Sequence, residues 1–173
     1  ACLAGLAVRL WPDHAAGGWV MMRDGPGRSA NWPKPRLTGL PVTVVRRVRD
    51  GVSALAKGHG ALAEQCFLAA AQLAPGAVEV HLWCARAAHA MGRGEAALAA
   101  YLRAERTGPV GALTQVEIAH ALASVDRTDE AEQRLLVAIA AADCDADVAM
   151  EIAMLADQQA WHALALRALE RCS

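Results

Sequence analysis

Residues 58–75 read GHGALAEQCFLAAAQLAP, and residues 92–109 read GRGEAALAAYLRAERTGP. The two stretches align with an offset of 34 residues, which matches Phe67 with Tyr101 and Pro75 with Pro109. Phe67 and Tyr101 are the only phenylalanine and the only tyrosine of the chain, so their match is stronger evidence than matches between its many alanines. A repeat of this length indicates an array of stacked supersecondary units.

The same period divides most of the chain into four blocks, at residues 44–77, 78–111, 112–145 and 146–173. Each block contains a small residue, then a second small residue, then a bulky residue, then a third small residue, at constant positions. In block order the four columns are Gly51, Ala85, Ala119 and Ala153; Ala63, Ala97, Ala131 and Ala165; Phe67, Tyr101, Leu135 and Leu169; and Ala70, Ala104, Ala138 and Cys172.

Each block predicts two antiparallel helices joined by a short turn, at 58–60, 92–94 and 126–128 in the first three blocks. Small residues allow two helices to approach closely, and proline at the end of a block cannot continue a helix. Thr128, and Thr114 together with Glu117, predict side-chain caps at helix starts. We expect helix pairs at 44–57 with 61–74, 78–91 with 95–107, 113–124 with 129–141, and 146–158 with 161–172.

The repeat length, the small–small–bulky–small order and the closing proline resemble the tetratricopeptide repeat (TPR) family over residues 44–173. The resemblance implies an all-α fold, a right-handed α-solenoid of stacked antiparallel helix hairpins with about four 34-residue repeats. Three positions depart from the family pattern: Asp50 replaces a large apolar residue, Trp83 stands in for a displaced aromatic, and Asp143 replaces the closing proline.

The resemblance also implies a protein-protein interaction scaffold, not an enzyme, which binds a peptide or helix in its concave groove. The first helix of each hairpin lines such a groove. Arg86 and His120 share a column there, and with His89 they predict a positive or titratable centre between apolar positions, suited to an acidic peptide residue. The alternative is that Arg86 only pairs with Glu117. The predicted groove residues are Val48, Val52, Leu82, Arg86, His89, Val116, His120, Ala123, Met150 and Met154.

The first 43 residues break the period and predict an irregular N-terminal segment. Five of the seven prolines precede residue 42, and the stretch allows a short hairpin of residues 19–22 about 24–27. Residues 7–15 look like the remnant of a preceding repeat. Trp11, Trp19 and Trp32 either pin this segment onto the first helices or form an exposed aromatic binding element.

The amino-acid composition disfavours several other folds and a membrane location. Apolar residues make up 55% of the 173 residues, yet aromatics make up only 4%, which disfavours β-sandwiches and barrels. No apolar run of transmembrane length lacks charge, so we expect no membrane insertion. The net charge of −1 hides a basic N-terminal end and an acidic C-terminal end, which either steer partners or are two solvated surfaces.

No motif predicts a cofactor, a metal site or a catalytic site. The five cysteines include no CxxC pair, which favours a reducing compartment such as the cytoplasm over a disulfide or zinc framework. Cys66 and Cys84 are expected on buried helix faces. His81, Cys84 and His89 show no sign of converging on a metal ion. A Cys–His nucleophile pair of Cys84 with His81 is equally disfavoured, because a buried thiol without a base is usually inert. The basic cluster at residues 46–49 predicts a solvated helix start rather than a nucleic-acid site.

Two other functions stay open at this point. The chain starts without a methionine and stops within a repeat, so we expect a fragment of a longer protein. It could therefore be the non-catalytic TPR module of a larger bacterial enzyme such as a transferase. Its charge polarity also fits a self-associating structural protein.

Overall fold

A computed structural model of the chain describes the backbone of residues 19–24 and 28–171, and the side chains of residues 32–171. In this part, two strands precede eight α-helices. The elements are β1 (Trp19–Asp24), β2 (Arg28–Pro33), α1 (Val42–Ala56), α2 (Gly60–Leu73), α3 (Val78–Ala90), α4 (Gly94–Thr107), α5 (Ala112–Ala123), α6 (Thr128–Ala140), α7 (Ala146–Gln158) and α8 (His162–Arg171).

The helices pack as four consecutive hairpins, α1–α2, α3–α4, α5–α6 and α7–α8, and each hairpin stacks on the next. Every helix begins and ends within two residues of the position that the sequence predicts. The all-α, right-handed solenoid of stacked helix hairpins is therefore confirmed. The division of the whole chain into a segment 1–43 and an array 44–173 stays a prediction, because residues 1–18 lie outside the described part.

The repeated columns form the interior of the stack. Ala63, Ala97 and Ala131 have no exposed surface, because a second helix packs directly on each of them. The side chains of Phe67, Tyr101 and Leu135 are buried to 1% exposure or less. A Cβ atom at Gly51 would lie 2.6 Å from the Phe67 ring, so glycine at this position leaves the room that the ring needs.

The turns within the hairpins share one backbone conformation at the same position of every block. Gly58 and Gly92 have φ angles of 77° and 70°, and the equivalent Asp126 and Ala160 both have φ of 60°. The residue after each of them donates its backbone N–H to the carbonyl five residues earlier, as from His59 to Ala54 at 2.9 Å. This left-handed residue ends the first helix of each hairpin.

The predicted side-chain caps are wrong. Helix α5 begins at Ala112, and the N–H of Ala112 donates to Asp143 Oδ2 at 3.0 Å, so the residue at the end of the same block supplies the cap. Thr114 is buried inside α5. Thr128 is the first residue of α6, and the preceding N-cap residue, Arg127, makes no side-chain capping hydrogen bond. The departure from proline at Asp143 thus has a structural use, because proline has no side-chain acceptor for this N–H.

The N-terminal strands form an antiparallel hairpin with Trp19 opposite Pro33, in agreement with the predicted hairpin. The backbone of β1 lies beside α1 and α3. Trp32 is 4% exposed and lies in the same apolar cluster as Val44 and Val48. Trp32 therefore pins the segment onto the first helices, whereas the side chains of Trp11 and Trp19 lie outside the described residues.

No helix in the described part of the chain is both long enough and apolar enough to cross a membrane.

We predict that Ala160→Gly stabilises the array, because alanine at a φ of 60° carries a left-handed strain of about 1 kcal/mol that glycine lacks. The matched control is Ala163→Gly on the exposed surface of α8, which should cost about 1 kcal/mol through lost helix propensity. Urea unfolding followed by circular dichroism measures both. Destabilisation of equal size in the two variants would contradict the strained turn.

Candidate functional site

The first helices α1, α3, α5 and α7 occupy corresponding positions in successive hairpins, and their neighbouring faces form one side of the solenoid. The groove predicted from the sequence lies on this side. The predicted groove residues fall into a buried group and a more exposed group. Val48, Leu82, Arg86 and Val116 are at most 7% exposed and belong to the interior. His89, His120, Ala123 and Val52 are partly exposed, and Met150 and Met154 are 40% and 45% exposed.

Arg86 is bound by Glu117 in a buried pair between α3 and α5. Its Nε donates to Oε1 at 2.9 Å and its Nη2 donates to Oε2 at 3.2 Å. The guanidinium carbon lies 4.9 Å from the centroid of the Trp83 ring, whose Nε1 donates to Glu79 at 2.9 Å. The alternative in which Arg86 pairs with Glu117 is therefore what the structure shows.

Burial and the opposite charge of the partner shift the pKa values of Arg86 and Glu117 in opposite directions. Burial is the largest single influence and lowers the pKa of Arg86, but Glu117, Tyr101 and Glu79 together hold that pKa above its ordinary value. Burial raises the pKa of Glu117, and Arg86 opposes the rise. Since the two charges compensate each other at 2% and 8% side-chain exposure, Arg86 adds no positive charge to the surface. A groove with a positive centre at Arg86 is thus not formed.

His89 and His120 form a second pair between the same two helices, one turn further along each. Their ring centroids lie 6.4 Å apart with the ring planes at 70°, so one ring meets the other edge to face. Both side chains are partly exposed, unlike the buried pair below them. The structure therefore brings together the two histidines that the sequence placed in the groove, as a polar spot that can donate or accept hydrogen bonds.

Helix α7 presents an apolar strip with acidic ends. Met150 and Met154 lie one turn apart, and Asp147 and Asp157 precede and follow them on the same face at helical spacing. All four side chains are exposed. We call His89, His120, Ala123, Met150 and Met154 the open first-helix surface. Asp147 and Asp157 were missed by the sequence analysis, although their spacing from the two methionines is visible in the sequence.

The residues considered for metal or nucleophilic chemistry have structural roles here. His81 is buried, and its Nε2 donates to the Pro75 carbonyl at 2.7 Å, which ties α3 to the preceding turn. Cys66 is buried as expected, whereas Cys84 is only partly buried. Among the described residues, no group of three or more His, Cys, Asp or Glu side chains could hold a metal ion.

Comparison with solved structures finds chains of the same architecture. One belongs to the crystal structure of the APC/C hetero-tetramer Cut9–Hcn1, with a TM-score of 0.65 and 16% identity over 79% of this chain and 26% of that one. Another is MamA, with a TM-score of 0.63 and 18% identity over 78% of this chain and 81% of that one. Neither a family model nor a curated protein sequence matches the chain.

Both neighbours are TPR solenoids, so the class of this chain is the TPR-like helical repeat fold that its sequence resembles. At these identities the likeness concerns the fold alone. The chain covers only 26% of the length of the Cut9–Hcn1 chain that it matches.

We predict that Arg86→Ala and Glu117→Ala each cost about 3–5 kcal/mol of stability, because each leaves an uncompensated buried charge. The double variant Arg86→Met with Glu117→Leu should recover most of that loss, since two apolar side chains need no partner. Chemical unfolding followed by circular dichroism compares the three proteins. Single variants that cost less than about 1 kcal/mol would show that water reaches the pair.

We predict that Cys84 reacts slowly with alkylating reagents. Burial raises the pKa of its thiol from 9.0 to about 11. At pH 8 the thiolate fraction, and with it the alkylation rate by iodoacetamide, should fall roughly 100-fold relative to the urea-unfolded chain, because only the thiolate reacts. Mass spectrometry of the Cys84 peptide measures this ratio. Equal rates in the folded and unfolded chain would contradict the assigned environment.

Proposed function

We propose that the chain is a protein-interaction scaffold that holds a peptide or helix of a partner protein on the open first-helix surface. The observation that carries the proposal is the exposed pair Met150 and Met154, one turn apart on a first helix. Exposed methionines are adaptable contacts that recur at binding surfaces, because the unbranched side chain reshapes to its partner. His120 occupies the position on α5 that Met154 occupies on α7, so the histidine pair borders this strip.

The partner suited to this surface has apolar anchors and a basic flank. Apolar side chains at helical spacing would pack on Met150 and Met154, in the manner of a helix in a groove. Asp147 and Asp157 at the ends of the strip favour lysine or arginine in the partner. The sequence predicted an acidic partner residue because Arg86 was expected at the surface. With Arg86 compensated by Glu117, the charge preference of this surface is reversed.

We also infer that the chain acts by binding and not by catalysis. The candidate nucleophile Cys84 favours its neutral thiol, since burial raises its pKa to about 11. The candidate base His81 is engaged with the Pro75 carbonyl at 2.7 Å. Neither group has the proton-transfer partner that an activated nucleophile requires.

The two alternatives from the sequence stay predictions. A role as the non-catalytic module of a larger enzyme is tested by the sequence of the complete gene, which would then encode a catalytic domain beside the array. Self-association is tested by sedimentation at increasing protein concentration, where a rise in the weight-average mass would support it.

We predict that peptides selected from a display library for binding to the wild-type chain bind through Met150 and Met154. Met150→Ala combined with Met154→Ala should weaken their binding tenfold or more, which corresponds to about 1.4 kcal/mol or more. Asp147→Lys combined with Asp157→Lys should weaken the basic peptides among them. Fluorescence anisotropy with the selected peptides measures both effects.

The matched control is Leu62→Ala combined with Val137→Ala, because these side chains are 52% and 54% exposed on second helices, on another side of the solenoid. The control variant should bind the selected peptides as the wild type does. If the methionine variant keeps wild-type affinity while the fold is intact, the open first-helix surface is not the binding site.

A further inference from the structure

Helix α1 carries an exposed face on the side opposite its buried residues. Val42, Val45, Arg46 and Arg49 recur at the spacing i, i+3, i+4 and i+7, which places them on one stripe along the helix. Val42 is 84% exposed, more than any other large hydrophobic side chain in the described part of the chain. Both arginines are exposed, and Val45 is partly exposed. We call these four side chains the α1 face.

The positive charge of the α1 face is not compensated within residues 32–171. Neither Arg46 nor Arg49 makes an ion pair or a side-chain hydrogen bond with another residue of this range. Residues 32–57, which include α1, contain six Lys or Arg side chains and only one acidic residue, Asp50. An acidic surface is therefore the partner that complements this face, because it neutralises charges that no residue of the same chain meets.

A surface of the complementary chemistry lies on α7 of the same chain. Asp147, Met150, Met154 and Asp157 are the exposed strip with acidic ends described above, and we call it the α7 strip. Residues 143–158 contain five carboxylates and no Lys, Arg or His. Among the described side chains, neither Asp147 nor Asp157 has a cationic partner. The α7 strip suits a helix with apolar side chains and basic charge on one stripe, and the α1 face has both features.

The α1 face and the α7 strip cannot meet within one chain. The hairpins stack in chain order, so α3 and α5 lie between α1 and α7. A contact between the two surfaces must therefore join different copies of the chain. Because the surfaces differ, the contact is head to tail, and every copy in the assembly can offer its second surface to a further copy.

We propose that the partner of the α7 strip is the α1 face of a second copy of this chain, so that copies associate head to tail. The proposal rests on the function proposed above, because it names the occupant of the same first-helix surface. Val42 and Val45 supply the apolar contacts to the methionines, and the two arginines face the carboxylates of α7. Since these charges are solvated before association, the contact weakens as salt screens them.

Analytical ultracentrifugation of the full chain, with charge reversals on either surface, tests the pairing. The weight-average mass of the wild type should rise with concentration beyond the mass of two chains, and should fall when salt is added. Arg46→Glu combined with Arg49→Glu should weaken the association about tenfold or more. Asp147→Lys combined with Asp157→Lys should weaken it by a similar factor, because it reverses the charge of the opposite surface.

The matched control is Arg103→Glu combined with Arg106→Glu. These exposed arginines lie on α4, a second helix, at the same spacing of three residues as the arginines of the α1 face. The control makes the same change in net charge as the reversal on α1, and it should associate as the wild type does.

A mixture of the two reversed variants distinguishes head-to-tail pairing from any symmetric contact. Each variant keeps one wild-type surface, so an equimolar mixture should form a complex that stops at two chains. The variant with all four substitutions should associate again, because its α1 face is acidic and its α7 strip is basic. A mixture that stays monomeric, although both variants are folded, overturns the proposal.

A wild type that stays monomeric up to about 1 mM also overturns the proposal. If the selected peptides still bind through Met150 and Met154 in that case, the proposed scaffold function stands and the occupant of the α7 strip is another protein. Association that the α4 control weakens as much as the reversals do rejects the α1 face. If a reversed variant does not fold, Met150→Ala combined with Met154→Ala decides, because unchanged association of this variant places the contact outside the α7 strip.

Discussion

None of the four helix hairpins in residues 42–171 buries its bulky residue by itself, and the structure depends on that constraint. Phe67, Tyr101 and Leu135 are buried because another hairpin packs over each of them, whereas the equivalent Leu169 of the last described hairpin is 44% exposed. Burial of such a side chain contributes about 1.5–3 kcal/mol, so stacking is the main source of stability. The small columns follow from it, because Ala97 and its equivalents leave room for the helices to approach.

Apolar packing repeats from block to block, but the polar links between blocks are specific. Arg86 and Glu117, 31 residues apart, join the second block to the third. Glu105 and Arg134, 29 residues apart, add a link between the second helices α4 and α6. Since an unpartnered buried charge is costly, the buried Arg86–Glu117 pair penalises any other register between its two hairpins. The Glu105–Arg134 pair is about one-third exposed and contributes less to this selection.

Stacking also produces the surface on which the proposed functions rest. It brings the first helices side by side, and so brings His89 next to His120. The N-terminal hairpin lies beside α1 and α3, and its Trp32 is buried against Trp83 of α3. The open part over α5 and α7 offers exposed methionines between acidic residues.

The sequence by itself determined the period, the helix pairs and the buried columns, because the spacing of glycine, alanine, bulky residues and proline acts locally or between adjacent helices. It also predicted a hairpin before the array and the shared column of Arg86 and His120. Only the tertiary structure decided that Arg86 is buried with Glu117, that Asp143 caps α5, and that Trp32 packs on Trp83. Each of these contacts joins residues that are far apart in the sequence, and the repeat period does not specify which polar or aromatic side chain will be the partner. The charge preference of the surface depends on those partners, and for this reason it could not be derived from the residues alone.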